Sequence, residues 1–299
     1  MIDTKLYTLL RVCETGSFTK AAEQLSLTQP AVSQHIRQLE QELGVKLFHR
    51  GGGSLKLTAE GEIATRYAKR MIALVHNLQR DIQDEKQQLT RIVVGLTHTS
   101  ESNPVAEALA RYCSENHDVK IMLITDTIKN LYAKLRTYEI DLAIVEGPLT
   151  EPGYNSLLLD TDSLVLIVPN NHSLAKQGIV TVEELKNQRM ILRLPSSGTQ
   201  NLFLSHLESR GISIEEFNVV LEVDNIATIK DLIRRGYGVS ILAKSACLDE
   251  LKKGKLTALP VENLSMMREI NMVYHTDFGH DDILRDISRM YNDVARLYL

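Results

Sequence analysis

The spacing of apolar residues changes once along this chain, near Ile92, and that change limits its possible folds more than any other feature. Before it, apolar positions recur every three or four residues, the period of a helix. After it, short runs rich in Val and Ile alternate with helical stretches. Two rhythms in separate blocks call for separate cores, one helical and one of mixed helices and strands. At 299 residues the chain is also too long for one ordinary core and suits two or three domains.

In the first block, Leu6, Leu9, Leu10 and Cys13 mark a helix that Thr15, Gly16 and Ser17 stop. Ser17 is a candidate cap for a second helix, "SFTKAAEQL". After the short interruption "SLT", Thr28 caps a third, "QPAVSQHIRQLEQEL", with Pro30 in its first turn and Gly44 at its end. Two β-like pieces, Leu47–His49 and Leu55–Leu57, flank three glycines and read as a hairpin. The following stretch holds no proline, and Tyr67, Met71, Leu74, Leu78 and Ile82 make one apolar stripe along a long helix. The stripe is either a dimer seam or a face laid on its own domain. The helix's length and polar opposite faces favour the seam.

The second block alternates "RIVVGL", "VKIMLI" and "DLAIVEG" with helical "NPVAEALARYCSEN" and "IKNLYAKLRTYE", which implies a parallel sheet. A second strand and helix set starts near residue 162, and "EINMVYH" and a closing helix end the chain. Two similar α/β lobes fit better than one large sheet. The expected domains are 1–58, a connecting helix over 59–89, and 90–299. In the last, lobe I takes 90–161 and 267–299, and lobe II takes 162–266.

A hydrophobic fraction of 43% and a charged fraction of 24% are those of a water-exposed globular protein. No apolar run approaches the ~18–20 residues of a membrane span, and the first residues lack the parts of a signal peptide. A cytoplasmic protein is expected. Cys13, Cys113 and Cys247 are far apart and form no CxxC, so buried reduced thiols are expected. Cys113 falls in step with Ala106, Leu109 and Ala110. The net charge of −4 hides an asymmetry: residues 1–90 hold 12 Lys and Arg against 10 Asp and Glu, the remainder 22 against 28. A mildly basic module on an acidic body suits nucleic-acid binding at the N-terminal end.

Helices two and three carry the sharpest signal. Val32, Ile36, Leu39 and Leu43 form one face, while Gln29, Ser33 and Arg37, with Gln34 beside them, form a polar stripe. Small Ala21 and Ala22 let two helices cross closely. A short helix, a tight turn and a second helix with an outward polar stripe make a helix-turn-helix. Gln and Arg can read base edges, and Ser can bond a base or a phosphate. "ETGSFTKAAEQLSLTQPAVSQHIRQLEQELGVKLFHR" followed by "LTAEG" closely resembles the LysR-type transcriptional regulators, and the later lobes fit that family's effector-binding domain.

The resemblance implies an α/β protein with an N-terminal winged helix-turn-helix, a long linker helix, and a two-lobed, periplasmic-binding-protein-like sensor. It implies homodimers, usually paired into homotetramers, on partly palindromic promoter DNA, with RNA polymerase as a further partner. Carried over by position, Gln29, Pro30, Ser33, Gln34 and Arg37 would enter the major groove, and Thr28 would cap the helix and touch phosphate. Arg50 and Lys56 would meet the DNA backbone or minor groove from the wing. The wing tip departs from the family: Gly51, Gly52 and Gly53 stand where another polar or basic residue is usual. A phosphate-binding glycine loop would need a following Lys-Ser/Thr, which is missing.

In the sensor, Thr97, Thr99 and Ser100 follow the first strand, at the carboxyl end where open α/β sheets bind ligands. "RLPSSGTQN" occupies the equivalent place in lobe II, with Ser196, Ser197 and Thr199; Asn225 precedes a later helix. Two helix N-termini facing each other with hydroxyls favour a small anion or carboxylate as effector, with no other cofactor. The "THT" run resembles that of the family's regulators of cysteine biosynthesis, whose matching threonines hold sulfate. His98 is either structural or an effector ligand. Arg193 either supplies a cation to the cleft or pairs with an acid.

Catalysis finds no support. "SLAK" has Ser-x-x-Lys spacing without its companion motifs, and HExxH, GxSxG and P-loop sequences are missing. A two-lobed transport protein would not carry residues 1–90.

Overall fold

Capping side chains set the N-terminal helices. Asp3 accepts from Lys5 N at the start of α1 (Thr4–Thr15), Ser17 from Lys20 N at α2 (Phe18–Leu25), and Thr28 from Ala31 N at α3 (Gln29–Leu43). Gly44 ends α3 at φ 70°, a left-handed conformation that suits glycine. The computed structural model describes residues 3–49, 55–101, 104–149 and 152–298. The chain divides into two compact units, Met1–Thr90 with Arg136–Glu139, and Arg91–Leu135 with Ile140–Leu299.

The core of the first unit gathers Leu9 and Val12 from α1, Ala21 and Ala22 from α2, and Val32, Ile36 and Leu39 from α3. Leu43 does not join its expected face. Residues 41–44 are all exposed, so the last turn of α3 runs past the packed layer. Phe48 bridges to Leu57 in antiparallel fashion, and His49 N donates to Lys56 O (2.9 Å), so the described arms of the hairpin pair. The long helix α4 (Ala59–Gln87) starts at Thr58, whose hydroxyl accepts from Gly61 N. A Cβ on Gly61 would stand 2.1 Å from the Leu47 carbonyl oxygen, so only glycine lets this turn lie on the hairpin backbone. The expected stripe on α4 is solvent-facing: Tyr67, Met71, Leu74, Leu78 and Ile82 are 43–51% exposed.

The second unit comprises, in order, β1 (Thr90–Leu96), α5 (His98–Glu101), α6 (Pro104–Glu115), β2 (Val119–Thr125), α7 (Ile128–Arg136), β3 (Leu142–Glu146), β4 (Tyr154–Pro169), α8 (Val182–Lys186), β5 (Met190–Arg193), α9 (Gly198–Glu208), β6 (Val219–Val223), α10 (Ile226–Arg234), β7 (Ser240–Ala243), α11 (Leu248–Lys252), β8 (Leu256–Leu259), β9 (Met267–His275) and α12 (Asp281–Arg296). The main sheet runs β2-β1-β3-β9-β4-β7, with β8 also on β4, while β5 and β6 pair in a two-stranded parallel sheet. β1 and β3 are parallel, and β9 joins β3 and β4 antiparallel, so the sheet is mixed and not purely parallel.

Alternate residues of β3 serve opposite faces, as a strand requires. Leu142 and Ile144 pack with α6 and α12, and Ala143 and Val145 with Leu131, Tyr132 and Leu135 of α7. The buried face of α6 is Val105, Ala108, Leu109 and Tyr112; Ala110 is exposed and Cys113 half-buried, so the buried face is rotated from the expected phase. A separate core in lobe II gathers Leu164–Val168 with β5, β7, α9 and α10.

The two lobes are joined by a continuous strand. The lobes have separate cores, yet they share one hydrogen-bonded sheet because β4 does not stop between them. Its first half pairs with β9 and its second with β7 and β8. Asp160, Thr161 and Asp162 lie at the boundary expected between the lobes. In the fold, Asp160 accepts from Tyr291 Oη (2.8 Å), and Asp162 accepts from Ser163 N and Ser245 and pairs with buried Arg268, so the strand continues.

Candidate functional site

Two sites are built from these elements. In the first unit, Gln29, Pro30, Gln34 and Arg37 are exposed on α3 and Ser33 is half-buried. Gln29 and Ser33 are one turn apart, and Gln29 Nε2 donates to Ser33 Oγ at 2.9 Å. The Thr28 hydroxyl is engaged as a cap, at 3.3 Å from Ala31 N. Lys56 is exposed on the hairpin; Arg50 and the three glycines lie outside the described residues. A groove of about 530 Å³ between α3 and the hairpin is lined by Ser33 and Arg37 together with Gln41, Lys46 and His49. The last three were not singled out from sequence. Gln41 continues the four-residue step from Ser33 and Arg37, which could have marked it.

In the second unit a cleft of about 530 Å³ opens between the lobes. Thr97 and Thr99 line it from lobe I, Ser196 and Ser197 from lobe II, and His98 and Arg193 also face it. Ser100, Thr199 and Asn225 do not line it. Ser100 and Thr199 are buried, and Asn225 is exposed and caps α10 by accepting from Thr228 N (3.0 Å).

The lobe I wall differs from the expected anion cradle. Thr97 Oγ1 donates to Glu146 Oε1 at 2.6 Å, and Ser100 Oγ donates to the same oxygen at 2.9 Å. Thr97 Oγ1 also accepts from Ser100 N (3.1 Å). Glu146 is 9% exposed and ends β3 on the cleft floor. α5 is only four residues long, so it offers little summed dipole to a ligand. Glu146 is hidden in "DLAIVEG" because that run reads simply as a strand. The carboxyl-end rule applied to the first strand points to it equally, since Leu96 and Ile144 are parallel partners.

The lobe II wall is of opposite character. Ser197 caps the 11-residue helix α9 by accepting from Gln200 N (3.1 Å), leaving its own hydroxyl hydrogen available. Arg193, at the end of β5, is 3% exposed; its Nη2 reaches Asp224 at 3.2 Å, and its buried Nε has no hydrogen-bond partner among the described residues. Both readings of Arg193 hold at once: it pairs with an acid and faces the cleft. Burial pulls its guanidinium below the usual value, while Asp224 and Glu146 act in the opposite direction. Asp126, Lys129, Asn201 and Asp224 complete the polar lining, none of them singled out from sequence.

The thiols are unpaired. Cys247 is buried, and desolvation pushes it up to about 12, while Cys13 and Cys113 are half-buried. Among the described residues no cluster of acids, histidines and cysteines is suited to a metal, and no helix is long and apolar enough to cross a membrane.

A helix-turn-helix unit followed by a two-lobed α/β unit with a polar cleft defines a class of DNA-binding proteins that carry a ligand-binding type of domain. Comparison with known families gives the particular one. Residues 4–62 match the model of the bacterial regulatory helix-turn-helix protein, lysR family, and residues 85–295 match that of the LysR substrate binding domain. This chain belongs to the LysR family of DNA-binding transcriptional regulators. An uncharacterized HTH-type transcriptional regulator of Methanocaldococcus jannaschii is 31% identical over 269 residues, covering 89% of this chain and 90% of that one. A protein named "Probable RuBisCO transcriptional regulator" in Cyanophora paradoxa is 27% identical, covering 95% and 89%. Full-length CbnR complexed with its target DNA shares the fold with a TM-score of 0.69 at 17% identity, covering 98% of this chain and all of that one. A full-length OxyR of Pseudomonas aeruginosa, carrying a single cysteine substitution, does so with 0.64 at 20%, covering 97% and 94%.

Proposed function

We propose that this regulator acts in the cytoplasm on promoter DNA, and that a small effector with an anionic group, held between the lobes, controls it. The observation that carries this reading is the buried, incompletely satisfied Arg193 facing the cleft beside the N-terminus of α9, in a chain whose α3 presents an exposed polar stripe. A buried guanidinium with an unused N–H and a helix N-terminus both favour an acceptor of negative charge. On the DNA side, Gln29, Gln34 and Arg37 carry the donors and acceptors that read base edges, and Lys56 carries charge suited to phosphate.

The exposed stripe on α4 supports self-association through that helix, since five large apolar side chains in register leave a seam that a second copy would cover. Dimers pair into a tetramer in this reading. Effector binding closes the lobes, changes that pairing and alters DNA bending and contact with RNA polymerase. No step calls for catalysis or another cofactor.

Mobility shifts on the intergenic DNA upstream of the protein's own gene test the reading, with salt-sensitive, sequence-selective binding expected. A failure to select any intergenic fragment would overturn it. Arg37→Ala should lose about 1–3 kcal/mol of discrimination at one base pair; unchanged site selection would remove Arg37 from base reading. Solution scattering with and without effector tests closure, and identical curves at saturation count against it.

A further inference from the structure

The cleft walls ask for more than an anion. Thr97 and Ser100 each carry one hydroxyl hydrogen, and both are directed at Glu146 Oε1. Ser100 lies behind the wall, so Thr97, its hydrogen spent on Glu146, offers only a lone pair toward the cleft, and Glu146 Oε2 receives no hydrogen bond from a described residue. Glu146 is nine-tenths buried, so a second negative group beside it would meet repulsion weakly screened by water. A ligand group resting on this wall must donate hydrogen bonds, and a positive charge there would also compensate the carboxylate. The lobe II wall has the reverse need, with Arg193 Nε, the Ser197 hydroxyl and the first N–H groups of α9 all donors.

We propose that the effector is a small zwitterion of the amino-acid type, its ammonium group seated on Glu146 and its carboxylate on Arg193 and the N-terminus of α9. This rests on the reading of the cleft as the effector site and narrows the ligand class for it. The cleft volume of about 530 Å³ fits a small metabolite. An inorganic anion or plain dicarboxylate meets the donors of lobe II but gives the buried Glu146 nothing, and the lobe I cation Lys129, which also lines the cleft, is exposed and screened by water. The zwitterion satisfies both walls, and because it bridges the lobes it favours their closed arrangement.

Thermal-shift and calorimetric titration of the full-length protein with the L-amino acids test this. Each is compared with its deaminated acid (propionate for alanine, succinate for aspartate) and its hydroxy acid (lactate, malate). At least one amino acid should raise the melting temperature by mass action and bind about tenfold or more tightly than both counterparts, the scale of one charge-assisted hydrogen bond. Glu146→Gln keeps an acceptor for Thr97 and Ser100, and should reduce that preference to about threefold or less. Deaminated or hydroxy acids binding the wild-type protein as tightly as the amino acids would overturn the proposal, and this ranking needs no variant to fold. If such an acid binds and Ser197→Ala abolishes its binding, the cleft remains the effector site and the zwitterion alone is rejected. If no compound of any arm binds, both fall together.

Discussion

The two walls of the cleft look alike in chain order and differ in charge. Each follows a strand with a run of small hydroxyl residues and a helix start. In lobe I the hydroxyls of Thr97 and Ser100 turn onto Glu146 and the helix is a single turn. In lobe II Ser197 caps an 11-residue helix beside the buried cation Arg193. The same hydroxyl chemistry thus becomes an acceptor-presenting wall or a donor-presenting wall according to the charge lying behind it. A serine or threonine can face either way at small cost, and a buried Glu or Arg chooses for it.

Four substitutions press on this contrast. The largest effect should come from Arg193→Met, which removes the positive side of the cleft and leaves Glu146 with less compensation. Asp224 is 57% exposed and so screened by water. The expected loss is about 2–3 kcal/mol in urea unfolding, together with the effector response. A loss under about 0.5 kcal/mol would mean that the cleft does not depend on its charge. Thr97→Val keeps shape and removes one donor to Glu146, for about 2 kcal/mol. Ser197→Ala removes the α9 cap for about 1 kcal/mol and should abolish the response while leaving DNA binding intact. If Thr97→Val proves cheaper than Ser197→Ala, Thr97 is not committed to Glu146 and the walls are more alike than they look. Asn225→Ala is the smallest, about 0.5 kcal/mol from an exposed cap, with an unchanged effector titration; a changed titration would extend the site to α10.

What was legible in the chain was local. Ser17, Thr28 and Gly44 act within a few residues of themselves, so their caps could be read directly. The α3 stripe follows from helical period, and the exposed apolar stripe on α4 from the same rule. What escaped depended on partners far away in sequence. Leu43 fits its helical face but has nothing beyond the core edge to cover it. The continuity of β4 depends on Tyr291, Ser245 and Arg268 accommodating two aspartates, and nothing near residue 160 announces them. The role of Thr97 and Ser100 is fixed by a carboxylate 49 and 46 positions on. Of the cleft lining, Thr97, Thr99, Ser196 and Ser197 were readable, but the carboxylate behind Thr97 and the direction of each hydroxyl were not.

The register of β4 against β9 places Asp162 opposite Arg268, so the chain enters and leaves lobe II on one rung of one ladder. Lobe II is therefore an insertion with a single doorway. The residues between those two positions form one block of chain, whose Lys252 also reaches back to the Leu297 carbonyl at the end of lobe I. Exchanging that block would bring a new donor-presenting wall to face an unchanged Glu146. A lineage with this plan can diversify what it senses by trading one cassette, leaving its DNA-reading unit and the other half of the cleft untouched.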